Sequence, residues 1–303
     1  MDSRRYLHFD VFTDRLFTGN QLAVFPDAAG LDADLMQRIA MEMAFSETTF
    51  VLPADPDGTD FRVRIFTPSR ELPMAGHPTV GTAFALAHDG RIAHARPTVI
   101  FGLGAGPTPL RLEWEADRLR FAWMTQAAPE FGGTPAGVDS LAAALGVQCS
   151  DIKDSKLPPQ VVSSGVPFLF VPLASRRAVD AATLDRAALQ HFYERAGMTE
   201  LPVFVFSLEG GRDDATAYSR MFAPVFGVPE DPATGGASGP LGGYLVRHGA
   251  IPLDRASQMI SLQGARMGRP SRIHISISSR DGVIGEVRVG GESVLVGEGL
   301  LRV

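Results

Sequence analysis

Two stretches of this chain repeat each other, and such a repeat restricts the fold to two like-built halves. Arg64-Ile65-Phe66-Thr67-Pro68 returns as Arg220-Met221-Phe222-Ala223-Pro224. The first copy leads into Glu71-Leu72-Pro73-Met74-Ala75-Gly76-His77-Pro78, and the second into Glu230-Asp231-Pro232-Ala233-Thr234-Gly235-Gly236-Ala237. Laying Glu71 on Glu230 places Pro73 on Pro232, Gly76 on Gly235 and Leu86 on Leu245; the one adjustment is three extra residues before Glu230. A strand, a Pro/Gly turn and a helix start, each present twice, predict that the facing turns hold the chemistry.

The remaining pattern fits that outline. Leu7 to Phe12 alternates as a half-buried strand, and Gln21 to Phe25 follows a Gly19-Asn20 turn. Asp32 to Met43 carries apolar residues at Leu35, Met36, Ile39, Ala40 and Met43, the spacing of an amphipathic helix. Glu47 to Leu52 and Phe61 to Phe66 are rich in β-branched and aromatic residues and read as strands. Pro78 to His88 reads as a small-residue helix, with Thr79 placed to cap it. In the second half, Val161-Val162, Phe168 to Val171 and Val203 to Phe206 read as strands, and Ala187 to Arg195 as a helix. The matching central helix runs from about Ser238 to His248, and its glycines, Gly239, Gly242 and Gly243, predict close packing. Gly102 to Gly106 reads as a bend between strands, and Ala127 to Gly133 as the linker. Arg272 to Ile277 and Val283 to Val289 alternate as strands, either of which is free to return to the first sheet.

Composition removes several classes of function. With 28 basic and 34 acidic residues the net charge is −6, which offers nucleic acid or an anionic membrane no attraction. No apolar run approaches the roughly 20 residues a membrane span needs. The polar start, Met1 to Asp10, is unlike a signal peptide. A single cysteine, Cys149, excludes an internal disulfide and fits a reducing cytoplasm. Lys153 and Lys156 are the only lysines and lie in a polar stretch unsuited to a Schiff base. The histidines never adopt metal-ligand spacing, and Gly-x-Ser-x-Gly, Walker A and Rossmann patterns are missing. The expectation is a chain that works without metal or organic cofactor.

Three ionisable residues stand out. Glu47 lies between apolar residues where a helix gives way to a strand. It is either a poorly solvated carboxyl of raised pKa, suited to taking and returning a proton, or a surface residue or capping partner of Ser46. His77 sits at a helix start, where it either binds an anionic group or bonds local backbone. Asp231, in the matching turn, is either the opposite wall of a site or a turn starter before Pro232. Glu71 and Glu230 share a repeat position, which favours a common structural job such as bonding the turn's own amides. Ser238 reads as a helix cap and Cys149 as an inert thiol.

Phe45 to Val51, Glu71 to Gly81 and Asp231 to Leu241, with Gln263-Gly264 and Gly268 to Ser271, together resemble the signature blocks of the PhzF family of phenazine-biosynthesis-like isomerases. The resemblance implies a diaminopimelate-epimerase-like α+β fold: two pseudo-symmetric domains, each a barrel-like, mostly antiparallel sheet around a central helix. The expected boundaries are 1–127 and 128–284, with a strand near 285–303 as a candidate to complete the first domain. Related epimerases oppose two cysteines at the positions that here are Ala75 and Thr234, so two-thiol epimerisation is not available. The resemblance makes Glu47 the base and then the acid of a proton shift. His77 and Asp231 become contacts to the polar groups of a small carboxylate substrate, and the Gly76, Gly235 and Gly236 amides hold its carboxylate. The family reaction isomerises trans-2,3-dihydro-3-hydroxyanthranilate, without a cofactor. Gly236 stands where phenazine enzymes commonly carry serine, so the substrate is open to change. The expected protein is a cytoplasmic homodimeric isomerase hinged near Pro129; the alternative is a PhzF-like binding or regulatory protein without turnover.

Overall fold

The computed structural model describes residues 3–55, 58–280 and 283–303; Met1 and Asp2, at the head of the polar N-terminus, lie outside them. Among the described residues, one series of strand pairings occurs twice. In the first, Ser3–Val11 runs antiparallel to Asn20–Phe25, which lies parallel to Glu47–Leu52 by way of the helix Ala33–Met43. Glu47–Leu52 pairs antiparallel with Phe61–Phe66, and Phe61–Phe66 parallel with Thr98–Leu103 by way of the helix Gly76–His88. Antiparallel pairings then carry the sheet to Gly106–Glu115 and Arg118–Gln126. In the second, Gln160–Ser163, Pro167–Pro172, Val203–Ser207, Ala217–Ala223, Met259–Gln263, Ser271–Arg280 and Val283–Gly291 pair in the same order and directions. The helix Gly235–Arg247 takes the place of Gly76–His88.

Two pairings tie the series together. Arg118–Gln126 runs antiparallel to Val283–Gly291, and the last strand, Ser293–Arg302, lies antiparallel along Ser3–Val11. The corresponding edge of the second series is taken by Glu130–Phe131 against Gln160–Ser163. The supposed linker is therefore partly a strand. Backbone groups of a connecting segment must find partners, and here the sheet edge supplies them.

Local chemistry explains the element ends. Asp32 accepts from the Leu35 N–H at 2.8 Å, and the helix that follows stops at Ala44 in a left-handed conformation (φ 54°). Asp185 caps Arg186–Ala196 in the same way, and Gly197 (φ 65°) ends it. The two central helices differ from these surface helices in being buried nearly all round, which requires small or apolar residues on every face. Close packing is strict in the second: a Cβ on Gly242 would meet Ile275 at 2.6 Å, and one on Gly243 would meet Pro129 at 2.4 Å. Thr79 and Ser238 are not caps. Each donates its hydroxyl to the carbonyl four residues back, Ala75 (2.6 Å) and Thr234 (2.9 Å), a bond the helix itself places within reach.

The repeated glutamates do share a job, but their partner is a side chain and not the turn's amides. Glu71 pairs with Arg64 at 2.6 and 2.7 Å, and Glu230 with Arg220 at 2.8 Å on both oxygens. Each guanidinium also lies over the phenylalanine two residues on, Phe66 at 5.1 Å and Phe222 at 4.8 Å. This explains why Arg-x-Phe and the later Glu recur together. The bidentate pair pins each turn to its strand. No helix among the described residues is long and apolar enough to cross a membrane.

Candidate active site

The central helices meet head to head. Ala75 and Thr234 are their N-caps, and neither caps with its side chain. A Cβ on Gly76 would lie 2.5 Å from the Gly235 Cα, and one on Gly235 would lie 3.0 Å from the Gly76 Cα, so only glycine lets the backbones approach this far. Two sets of first-turn N–H groups and two helix dipoles converge there, which favours an anion. A cleft of about 570 Å³, its open mouth included, lies at this junction and is lined by Glu47, Gly76, His77, Asp231, Gly235 and Gly236. All six residues expected from the sequence are thus brought together.

Sequence reasoning missed the rest of the wall, which apart from Thr234 is apolar: Leu72, Met74, Val166, Phe168, Phe226 and Val228 are among its residues. No lysine or arginine is among the residues that line the cleft, so the helix ends are its positive feature. Gly236 differs from the other two glycines. A Cβ there would have nothing within 4 Å, so its missing side chain leaves room in the cleft.

Glu47 faces this wall from the first position of its strand, with its side chain 13 % exposed. Burial raises its pKa from the ordinary 4.5 to about 8, and the negative charge of Asp231 adds to the rise. The neighbouring Ser46 opposes it, though the Ser46 hydroxyl proton is given to Asn20 Oδ1 at 2.9 Å. Burial likewise lowers His77 to about 3, while a hydrogen bond to the Gln21 backbone resists the change. The imidazole is therefore neutral, and its 3.4 Å approach to Glu47 Oε2 is not an ion pair at ordinary pH. Nε2 and Oε2 are both buried without a hydrogen-bond partner among the described residues. Nε2 faces the Glu47 carboxyl, and Nδ1 lies 3.1 Å from the Asn20 amide nitrogen.

Asp231 is held differently. Burial raises its pKa, but it accepts from Thr234 Oγ1 at 2.5 Å and from Asn20 Nδ2 at 2.6 Å, which favour the anion. Of the two carboxyls Asp231 is the better anion, and Glu47 is the one that keeps its proton to higher pH. Asn20 is the residue that the sequence reading placed in a turn. It is instead the first residue of a strand, 1 % exposed, and its amide also donates to the Ala233 carbonyl at 3.0 Å. Its only sequence signal was the preceding glycine: Gly19 (φ 71°) turns the chain so that Asn20 points inward. Gln263 fixes the second turn, donating to the Asp231 carbonyl (2.7 Å) and accepting from the Thr234 N–H (3.1 Å). Arg269 fixes the turn that precedes Asn20, through the Gly19 and Thr18 carbonyls and the buried Asp10. Cys149 lies elsewhere, its thiol donating to Asp139 at 2.6 Å.

Fold and site define an epimerase-like architecture with two carboxyls, Glu47 and Asp231, in the cleft where its central helices meet, and no thiol at either helix cap. A hydroxyproline epimerase from Agrobacterium vitis, 13% identical, shares this fold with a TM-score of 0.68 over 99% of this chain and 91% of that one. The chain itself belongs to the phenazine biosynthesis-like (PhzC-PhzF) family, whose model matches residues 9–299. A Bacillus anthracis phenazine biosynthesis protein of the PhzF family superposes with a TM-score of 0.88 at 26% identity, over the whole of both chains. The trans-2,3-dihydro-3-hydroxyanthranilate isomerase of Pseudomonas aeruginosa is 38% identical over 97% of this chain and 98% of its own length. The chain is an isomerase of this family.

Proposed function

We propose that Glu47 moves a proton between two carbons of a small cyclic or conjugated carboxylate, taking it as general base and returning it as general acid. The candidate substrate is trans-2,3-dihydro-3-hydroxyanthranilate, for which relatives 38% identical are named. One observation carries the reading: a carboxyl lifted to about 8 by burial, on the wall of a cleft where two helix N-termini converge. A group titrating near neutrality is both a competent base and a competent acid. Ionised Glu47 takes a proton from the sp3 carbon beside the conjugated system. The electron pair spreads towards the substrate carboxylate, held at the Gly76 and Gly235–Gly236 amides. Protonated Glu47 then returns the proton at a second carbon, so the reaction needs no co-reactant. His77, neutral throughout, orients the Glu47 carboxyl, and Asp231 holds a polar substituent of the substrate. Ala75 and Thr234 at the helix caps offer no thiol, which supports one proton carrier over two.

The protein is further read as cytoplasmic, which its single cysteine supports, and as a homodimer, as the family resemblance implies. Its lobes divide near residues 127 and 128. The test is wild type and Glu47→Gln incubated with trans-2,3-dihydro-3-hydroxyanthranilate in D2O, with the ring protons followed by NMR. Conversion with deuterium uptake by wild type alone is expected. A folded wild type that leaves the compound untouched rejects this substrate, and an active Glu47→Gln rejects the proton shuttle.

A further inference from the structure

The two copies of the repeat differ in length at one place, and there they touch. In the first copy the turn is tight: the Thr67 N–H donates to the Arg70 carbonyl at 2.9 Å, and Thr67 Oγ1 accepts from the Ser69 and Arg70 N–H groups at 3.2 and 3.0 Å. In the second, the three extra residues make room for the 3-10 turn Pro224–Phe226. Gly227 closes it in a left-handed conformation (φ 78°), donating to the Pro224 carbonyl at 3.1 Å. The longer turn reaches across to the shorter. Ser69 Oγ donates to the Phe226 carbonyl at 3.1 Å, and the Arg70 guanidinium lies 4.5 Å from the centre of the Phe226 ring. That same phenylalanine lines the cleft with Glu47, His77 and Asp231. One aromatic ring thus belongs both to a contact between the repeats and to the wall of the site.

Resting on the reading of the cleft as a carboxylate isomerase site, we propose that Phe226 is a specificity-determining wall that packs on a flat, conjugated substrate body, clasped in place by Arg70 and Ser69. The polar end of the cleft is already occupied by the helix tips, Glu47, His77 and Asp231, which orient the carboxylate and the reacting carbons. What remains for selecting the body of the substrate is apolar surface, and an aromatic face discriminates a planar π system from a saturated ring. A ring free to swing would lose this selectivity. Arg70 restrains it by attraction between the cation and the ring, and the Ser69 bond anchors its backbone. Ser69 and Arg70 are therefore positioning residues that act through Phe226. The first copy of the repeat carries no aromatic residue in its tight turn, so the three-residue insertion gives one lobe a wall that the other lacks.

The test is calorimetric binding of 2-aminobenzoate, a flat carboxylate, and cyclohexanecarboxylate, its saturated counterpart, to the full chain. Phe226→Ala should weaken 2-aminobenzoate about tenfold and cyclohexanecarboxylate much less. Arg70→Ala should weaken 2-aminobenzoate about threefold, and Arg70→Lys, which keeps a cation over the ring, should restore most of the loss. If the isomerisation substrate is turned over, Phe226→Ala should raise KM with little change in kcat. A Phe226→Ala protein of wild-type melting temperature that binds 2-aminobenzoate as wild type does overturns the proposal, as does equal weakening of both ligands. These readouts do not require turnover. A wild type that fails to isomerise trans-2,3-dihydro-3-hydroxyanthranilate but shows the selective loss on Phe226→Ala rejects the substrate and keeps the clasp.

Discussion

Glu47→Gln removes a charge and almost no volume, so it measures what burying that carboxyl costs the fold. The folded pKa of about 8 lies above the ordinary 4.5. A group raised on folding contributes its full stability below the unfolded pKa and loses it as the pH climbs through the folded one. Wild type should therefore lose stability relative to Glu47→Gln between about pH 4.5 and about pH 8. Integrating proton binding from pH 5 to pH 9 gives about 4 kcal/mol. Water drawn to the ionised carboxylate, already 13 % exposed, returns part of this, leaving about 2–4 kcal/mol. For 303 residues, at an unfolding entropy of about 2.1 cal/mol/K each, the difference corresponds to about 3–6 °C in melting temperature. Thermal melts of both proteins at pH 5 and pH 9, followed by circular dichroism, provide the assay. Groups that titrate alike in both proteins cancel in the comparison. The expected result is a variant that gains on wild type as the pH rises. If the gap is the same at both pH values, Glu47 titrates as a solvated surface carboxyl and the argument for a proton carrier tuned by burial fails.

Two further outcomes follow from the same geometry. Gly76→Ala would drive a Cβ to 2.5 Å from the Gly235 backbone, whereas Gly236→Ala meets nothing within 4 Å. The first should cost about 1–3 kcal/mol in urea denaturation and most of the activity, while the second should fold normally and shift substrate affinity alone. Asp231→Asn removes the charge that opposes ionisation of Glu47, so the basic form should appear at lower pH. The acid limb of the kcat/KM profile should move down by about one pH unit, and a limb that stays or moves up would show that the two carboxyls do not interact.

Much of the architecture was legible because its causes are local. Asp32 before an apolar period of 3.6, and β-branched and aromatic runs at Glu47 to Leu52 and Phe61 to Phe66, announce helix and strands through preferences that act over a few residues. The duplicated Arg-x-Phe and Pro/Gly turns expose the twofold plan for the same reason. The errors share a different cause. Glu130–Phe131 was read as linker because nothing within the segment shows that Gln160–Ser163 offers it an edge. Asn20 was read as a turn residue because its partner Asp231 is 211 positions away. The glutamates of the repeat were assigned to backbone amides when arginines ten or fewer residues upstream were the partners. Their bidentate geometry exists only once each strand and turn lie side by side.

The sequence by itself determined that the chain is built twice, that glycines open both central turns, and that no thiol stands at either. These follow from residue identity and spacing, which require no knowledge of neighbours. Which reading of Glu47 holds was decided by the tertiary structure alone. A carboxylate followed by an alternating strand looks the same whether it faces water or an apolar wall. Only assembly of both halves sets Val166, Phe168, Phe226 and Val228 opposite it and Asp231 beside it. Desolvation is a property of everything that excludes water from a group, and here both halves of the chain contribute to the wall.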